Sequence, residues 1–512
     1  MKYKNTFITI EQELFDRLEQ TIEEHNLHLG GDDENKLKMD KAAFLIDHIR
    51  YRQLLKKDKL VHGYVRLHSA YLNIYLEKDL KKYKDFLKRE GFIKTIPYNK
   101  ENNKSIGYKI SFYDKSGYKD IQKKKFMVYE FIDFDYEKHL NKNIEKLAEN
   151  ERRKKSADRS TRHLTKWLNS NNIQIDWEAA FKWINSNKKL KDSQKESYAH
   201  AVNRIRFKNW YYVRSTKDNR LHSNLTNLPS ELRKFLSHKS QKLVSLDIKS
   251  SQPFMLAGVF NLLIKSKDKL ELLKEKLKCK DVKDKLTTVM NSIILNSKTI
   301  INFKAYINLI CKEDIYNHIA GNLSPNFIKT IESKTNKDTY EDMVYNQAKG
   351  YAVETPFKDI RTYCKILTLE YMYSSIESAK KPLKEIKRIY PTAVNNFIHD
   401  FKYCKELKVP IRGKGKRNKR QKLVIDASKK LFAKFLQQLE AGIILDTITK
   451  ELSVSYPTMF MATIHDSITV PKEYEEIVKD FLKRRLFEIF GIESEIKSED
   501  WQKKNKIKNR GL

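Results

Sequence analysis

Cysteine is scarce in this chain: four among 512 residues, with no CxxC pair. Cys279, Cys311, Cys364 and Cys404 lie far apart, which excludes a zinc ribbon and a disulfide framework. Long apolar runs are missing as well. No window approaches a membrane span, and the opening MKYKNTFITIEQELF has no apolar core of signal-peptide length. A soluble protein of a reducing compartment is expected, with no membrane partner. Acid is the third shortage. Asp plus Glu number 66 against 102 Lys plus Arg, a formal charge of +36 spread along the whole chain. An AT-rich genome accounts for abundant Lys, Asn and Ile, but not for acids that fail to rise with them. The imbalance fits a polyanionic partner bound through phosphate neutralisation and counterion release.

What is present is a foldable chain. Hydrophobic residues make up 40% and aromatics 11%, and the length accommodates two to four domains with a buried core. Residues 1–55 read as helical, broken at the acidic LGGDDEN stretch from Leu29 to Asn35. Residues 56–135 read as two helices, the second ending in REGFI, then a strand, a polar turn and the strand GYKISFY. That order suggests a winged-helix module binding a duplex through the helix around Tyr83 to Lys88. A small structural α+β domain reads equally well. Residues from about 140 to 210 read as helical and heavily charged, residues 255–350 as mostly helical and basic, and Val409 to Ile425 reads as an exposed basic loop suited to a phosphate backbone. FIDFDYE (Asp135, Glu137) and NIQID (Asp176) echo proofreading-exonuclease carboxylates. No third, tyrosine-led carboxylate follows, so that activity is not expected.

Three stretches carry chemistry. In QKLVSLDIKSSQPFMLAGVF an apolar, β-prone run ends on Asp247 before a turn into a helix-like segment. A carboxylate ending a buried strand is held with the rigidity Mg²⁺ requires; alone, it reads as well as a helix cap. DIRTYCKILTLEYMYSS sets Arg361, Lys365 and Tyr373 at i, i+4 and i+12. On a helix Arg361 and Lys365 are neighbours about 40° apart, with Tyr373 two turns beyond. Adjacent cations suit a triphosphate, and an aromatic beyond them suits its sugar or base. MATIHDSITVPKE then places His465 and Asp466 between two apolar runs. Asp247 and Asp466 from separate strands can hold two Mg²⁺ ions about 4 Å apart, the arrangement of metal-assisted nucleotidyl transfer. Lys365 would neutralise or protonate the leaving pyrophosphate. A second His-Asp pair, His399-Asp400, stands in a charged, helix-like context and reads as unrelated.

In this order, the motifs resemble those of single-subunit, right-hand polymerases: family A DNA polymerases and phage-type RNA polymerases. IHDS (464–467) resembles their third motif and RTYCKILTLEYMYSS their second, with Asp247 the first-motif metal ligand. DNRLHSNLTNLPSELR resembles a segment of the DNA-polymerase branch, which implies primer-template contacts for Arg220, Asn227 and Arg233. The resemblance also implies a primer-end contact for His465 and a primer-facing residue at Gln438 or Glu440. It covers about residues 210–485. The implied fold is α+β: a palm with an antiparallel sheet (236–260 and 376–490), fingers (261–375), a thumb or connection (136–235) and a basic tail (491–512). The implied function is a monomeric DNA-directed DNA polymerase using Mg²⁺, primer-template and nucleoside triphosphates.

Three positions depart from the pattern. Gln252 stands where family A has a Glu, Ser374 and Asn219 where it has glycines. The pattern therefore points to a divergent polymerase of a phage, plasmid or mobile element, in the cytoplasm of a bacterial or phage-infected cell. Without the Glu, sugar choice stays open, and with it an RNA polymerase or primase-like activity. A replication initiator with a degenerate palm is the alternative outside catalysis.

Overall fold

The computed structural model describes residues 7–502 other than 31–33, 56–63, 99–104, 113–125, 133–143, 169, 171, 191, 209, 333–339, 347–350, 358, 375–380 and 404–418. The described residues form a helix-rich α+β protein with six small sheets, every pairing antiparallel. No helix among them is long and apolar enough to cross a membrane. Asp135, Glu137, Cys404 and residues 409–418 of the expected basic loop lie outside the described residues. Residues 419–425 are helical, not loop.

The described residues begin extended rather than helical. Phe7–Glu11 (β1) buries Ile8, Ile10 and Glu11. It is followed by Gln12–His28 (α1), Met39–Leu55 (α2), Val65–Arg66 (β2), Ser69–Leu76 (α3), Leu80–Arg89 (α4), Ile93–Ile96 (β3), Gly107–Ile110 (β4) and Phe126–Glu130 (β5). β1 pairs with β5, and β2, β4 and β3 form a sheet in that order. Gly91 ends α4 in the left-handed region (φ 79°), while Phe92 N–H returns to the Leu87 carbonyl at 2.9 Å, a glycine helix stop. One apolar core runs from Ile8 to Phe131, and the Tyr129 hydroxyl donates to Asp40 across it. That core spans both sides of the boundary expected at residue 55.

A second core takes in the rest. Ile144–Leu168 (α5) leads to Ile173–Ile175 (β6), Trp177–Ser186 (α6), Asp192–Arg206 (α7), Tyr212–Arg214 (β7), Leu221–Ser223 (β8) and Leu236–His238 (β9). Asp176 caps α6 by accepting from Ala179 N–H at 3.0 Å, so it serves a helix end. Leu243–Ile248 (β10) then enters Ser251–Lys265 (α8), buried continuously from Ser251 to Leu263. A helix apolar all round belongs in an interior. At Gly258 any Cβ would overlap the Phe490 ring.

Helices Lys267–Lys274 (α9), Lys280–Ser292 (α10), Ser297–Lys312 (α11), Ile315–Asn322 (α12) and Pro325–Glu332 (α13) follow, then the hairpin Tyr340–Asn346 (β11) and Tyr351–Phe357 (β12). Next come Ile360–Tyr373 (α14), Lys381–Ile389 (α15), Thr392–Lys402 (α16), Lys419–Ile443 (α17) and Thr449–Ser455 (α18). Ala462–Ile464 (β13), Ser467–Pro471 (β14), Glu475–Phe490 (α19) and Ile496–Asp500 (β15) complete the order, and the central sheet runs β13-β14-β10-β15. The expected tail at 491–512 thus supplies an edge strand, with Asp247 opposite Lys497.

Candidate active site

The site begins at the end of the central strand. β10 is buried along its apolar run, and Leu246 lies opposite Ile468 of β14. The β13–β14 hairpin closes at Ile464 and Ser467, leaving His465 and Asp466 as its two-residue turn. His465 takes φ 58°, a conformation rare outside glycine. The turn therefore has a fixed shape, and it sets Asp466 beside Asp247. The two carboxyls are close enough to interact. Desolvation, then the charge of Asp466, pushes the Asp247 carboxyl well up, and Lys365 opposes the shift. Two carboxylates this close share a proton unless a cation separates them.

Lys365 comes from α14, whose first turn is capped by the Asp359 carboxylate accepting from Thr362 N–H at 2.6 Å. Tyr363, Cys364, Leu367 and Met372 bury one face of this helix, while Lys365 stays exposed. Arg361 donates to the Asp314 carboxylate at 2.7 and 3.1 Å, and its guanidinium carbon lies 5.3 Å from the Tyr316 ring centre. Tyr316 is buried. At the other end, Tyr373 donates to the Gln252 amide oxygen at 2.5 Å, and burial pushes its hydroxyl up to about 12. Lys402 holds the last turn, donating to the Tyr371 carbonyl at 2.5 Å.

A third group closes around Glu440, only 1% exposed. Arg220 donates to it at 2.5 and 2.9 Å, and the Ser251 hydroxyl at 3.1 Å. Burial pushes the Glu440 carboxyl up to about 7 against the pull of Arg220. His465 lies at the lip, its imidazole held below the usual range by desolvation and then by Arg220. Arg233 packs 6.0 Å from the Trp501 ring centre, and its Nε has no hydrogen-bond partner. Asn227 is exposed on the turn after β8.

Gln438 is placed differently from its expected role. Its side chain is 0% exposed: the amide oxygen accepts from Lys278 and Cys279 N–H, both at 3.0 Å, and the amide nitrogen donates to the Lys217 carbonyl at 3.0 Å. With these three backbone bonds and no exposed surface, it ties α17 to two loops. Glu440, two residues on, is the one that faces Arg220. Two participants escaped sequence reading, Asp314 and Tyr316. Asp314 carries an N-cap signature and does cap α12, accepting from Tyr316 and Asn317 N–H at 3.0 and 3.2 Å. Nothing in the sequence announces its second role as partner of Arg361. His399 is exposed on α16, bonded to Asp400 at 3.1 Å.

No family model matches the chain, and no curated protein matches it in sequence. Among solved structures, it is similar to one titled "POL domain of Pol1 from M. smegmatis complex with DNA primer-template and dNTP", with a TM-score of 0.35 and 10% identity. The match covers 64% of this chain and 56% of that one, so the chain spans little more than half of that structure's length. A likeness this slight leaves function to be argued from the side chains.

Proposed function

We propose that the chain is a template-directed nucleotidyltransferase, a DNA-directed DNA polymerase with the β13-β14-β10-β15 sheet as its palm, residues 261–375 as fingers and 136–235 as thumb or connection. The observation that carries this reading is the pair of interacting carboxyls, Asp247 on the central strand and Asp466 on the neighbouring hairpin turn, with the charge of Lys365 acting on Asp247. No cluster of three or more His, Cys, Asp or Glu suited to a metal occurs among the described residues. A pair of carboxylates nonetheless fits Mg²⁺, which keeps several waters and takes substrate phosphate oxygens as further ligands. Asp247 and Asp466 would hold two such ions, which when bound activate an attacking hydroxyl and neutralise the leaving pyrophosphate.

The chain's own residues supply the rest. Lys365 and Arg361 bind the triphosphate, Arg361 exchanging or sharing Asp314 as it does so. Gln252 and Tyr373, locked together, form a neutral wall for the nucleotide's sugar or base. Arg220, held by Glu440, reaches the primer-template with His465, Asn227 and Arg233. Because Gln252 is uncharged where the resembling family has a Glu, ribonucleotide use is the second reading. Extension of a primed DNA template with dNTPs or rNTPs, beside an unprimed template, tests both. Primed dNTP extension supports the proposal; unprimed rNTP synthesis favours the second reading; neither activity overturns both.

A further inference from the structure

We infer that the N-terminal unit carries a second nucleic-acid site, a surface for double-stranded DNA built on α3 and α4. This inference rests on that unit alone and not on the proposed activity. α3 and α4 are joined by the three-residue turn Glu77–Asp79 and followed by the β3–β4 hairpin. Two helices across a short turn present the second helix to a duplex groove. α4 has ten residues, about 15 Å of helix, enough to span a major groove about 12 Å wide.

Its composition divides by face. Leu80, Tyr83, Phe86 and Leu87 are buried, whereas Lys81, Lys88 and Arg89 are exposed and Lys84 is partly so. Asp85 is the acid on this face, 3.4 Å from Lys84. Lys82 is occupied, donating to the Glu34 and Lys36 carbonyls at 3.1 and 3.0 Å.

A cleft of about 300 Å³ opens beside this face, lined by Ser69 and Asn73 of α3, Lys78, Lys81 and Lys84, and Tyr108 of β4. Glu77 is the acid in its lining, against those three lysines. α3 begins there with no side-chain cap and no acid in its first turn, so its positive end goes uncompensated by a carboxylate. Tyr108 is fully buried, and its hydroxyl has no hydrogen-bond partner. Three cations, a helix N-terminus and an unmatched hydroxyl in one concavity match the chemistry of a backbone phosphate. Groove-facing lysines on α4 continue from it.

The test is fluorescence anisotropy with the full-length protein and a loop-capped DNA duplex, which offers no 3′ end to extend. Affinity is measured across a salt series. Lys78→Gln/Lys81→Gln/Lys84→Gln is expected to weaken binding at least tenfold and to lower the salt slope by about 3, as three lost phosphate contacts require. Its thermal melt should match the wild type, since these side chains lie at the surface. Lys265→Gln/Lys267→Gln/Lys483→Gln removes the same charge elsewhere and is expected to change affinity less than twofold. Unchanged binding in the first variant, or an equal loss in the second, would overturn the inference. The measurement needs no turnover, so it stands whether or not the chain extends primers.

Discussion

Asp247, near the end of the central strand, and Asp466, on the adjacent hairpin turn, stand close enough that the charge of Asp466 raises the Asp247 carboxyl. Without a cation this contact is a liability, because desolvation and mutual repulsion favour a shared proton over two charges. Asp247→Asn is therefore expected to raise stability in chelator-treated buffer, by about 1 kcal/mol. Added Mg²⁺ should raise the wild-type Tm through binding to the native state, and should leave the variant's Tm unchanged. Thermal melts with and without Mg²⁺ decide this; an equal Mg²⁺ response in both proteins would remove Asp247 from the metal site.

Glu440 and Arg220 form a buried pair whose worth lies in completion. Removing one partner leaves the other charge buried and unpaired, at a cost of about 3–5 kcal/mol. Glu440→Ala is expected to lose stability on that scale in a denaturant melt. Arg220→Ala/Glu440→Ala should lose less than the sum of the single variants. Additive losses would mean that the pair is not coupled.

Gln252 and Tyr373 make a wall without charge. Gln252→Ala frees the Tyr373 hydroxyl and opens space at the expected sugar position. Incorporation of rNTP relative to dNTP is expected to rise about tenfold, the scale of a single pocket contact. A ratio unchanged from wild type would place the sugar elsewhere.

His163 lies inside the second unit, hydrogen-bonded to the Thr449 hydroxyl at 3.0 Å. Desolvation lowers its imidazole to about 4, against a backbone hydrogen bond that raises it. Its folded value lies below the unfolded one, so between about 6.5 and 4 the unfolded chain binds the extra proton. Stability from this group is complete above about 6.5 and is lost as pH falls towards 4. His163→Gln should flatten that part of the stability profile by about 2 kcal/mol, the linkage energy reduced because solvent screens a partly exposed group, measured by urea melts at stepped pH.

Legibility in the sequence followed the range of the interactions. Asp247 ends an apolar run, His465-Asp466 interrupts a short hairpin, and Arg361, Lys365 and Tyr373 recur at helical spacing; each signal is local. β1 was hidden because its partner β5 lies more than 100 residues away, and a five-residue strand reads weakly without its partner. β15 was hidden because IKSED has little apolar character and takes its strand form from β10. The choice between Gln438 and Glu440 turned on which side chain faces Arg220, and helical spacing alone does not decide that.

The most direct measurement is primer extension by Asp466→Asn on a primed DNA template with dNTPs and Mg²⁺, beside its primer-template affinity. Extension is expected to fall at least about a thousandfold, with Kd for the primer-template within about threefold of wild type, since phosphate contacts dominate that affinity. Extension at the wild-type rate would contradict the assignment of Asp466, and with it the two-carboxylate site.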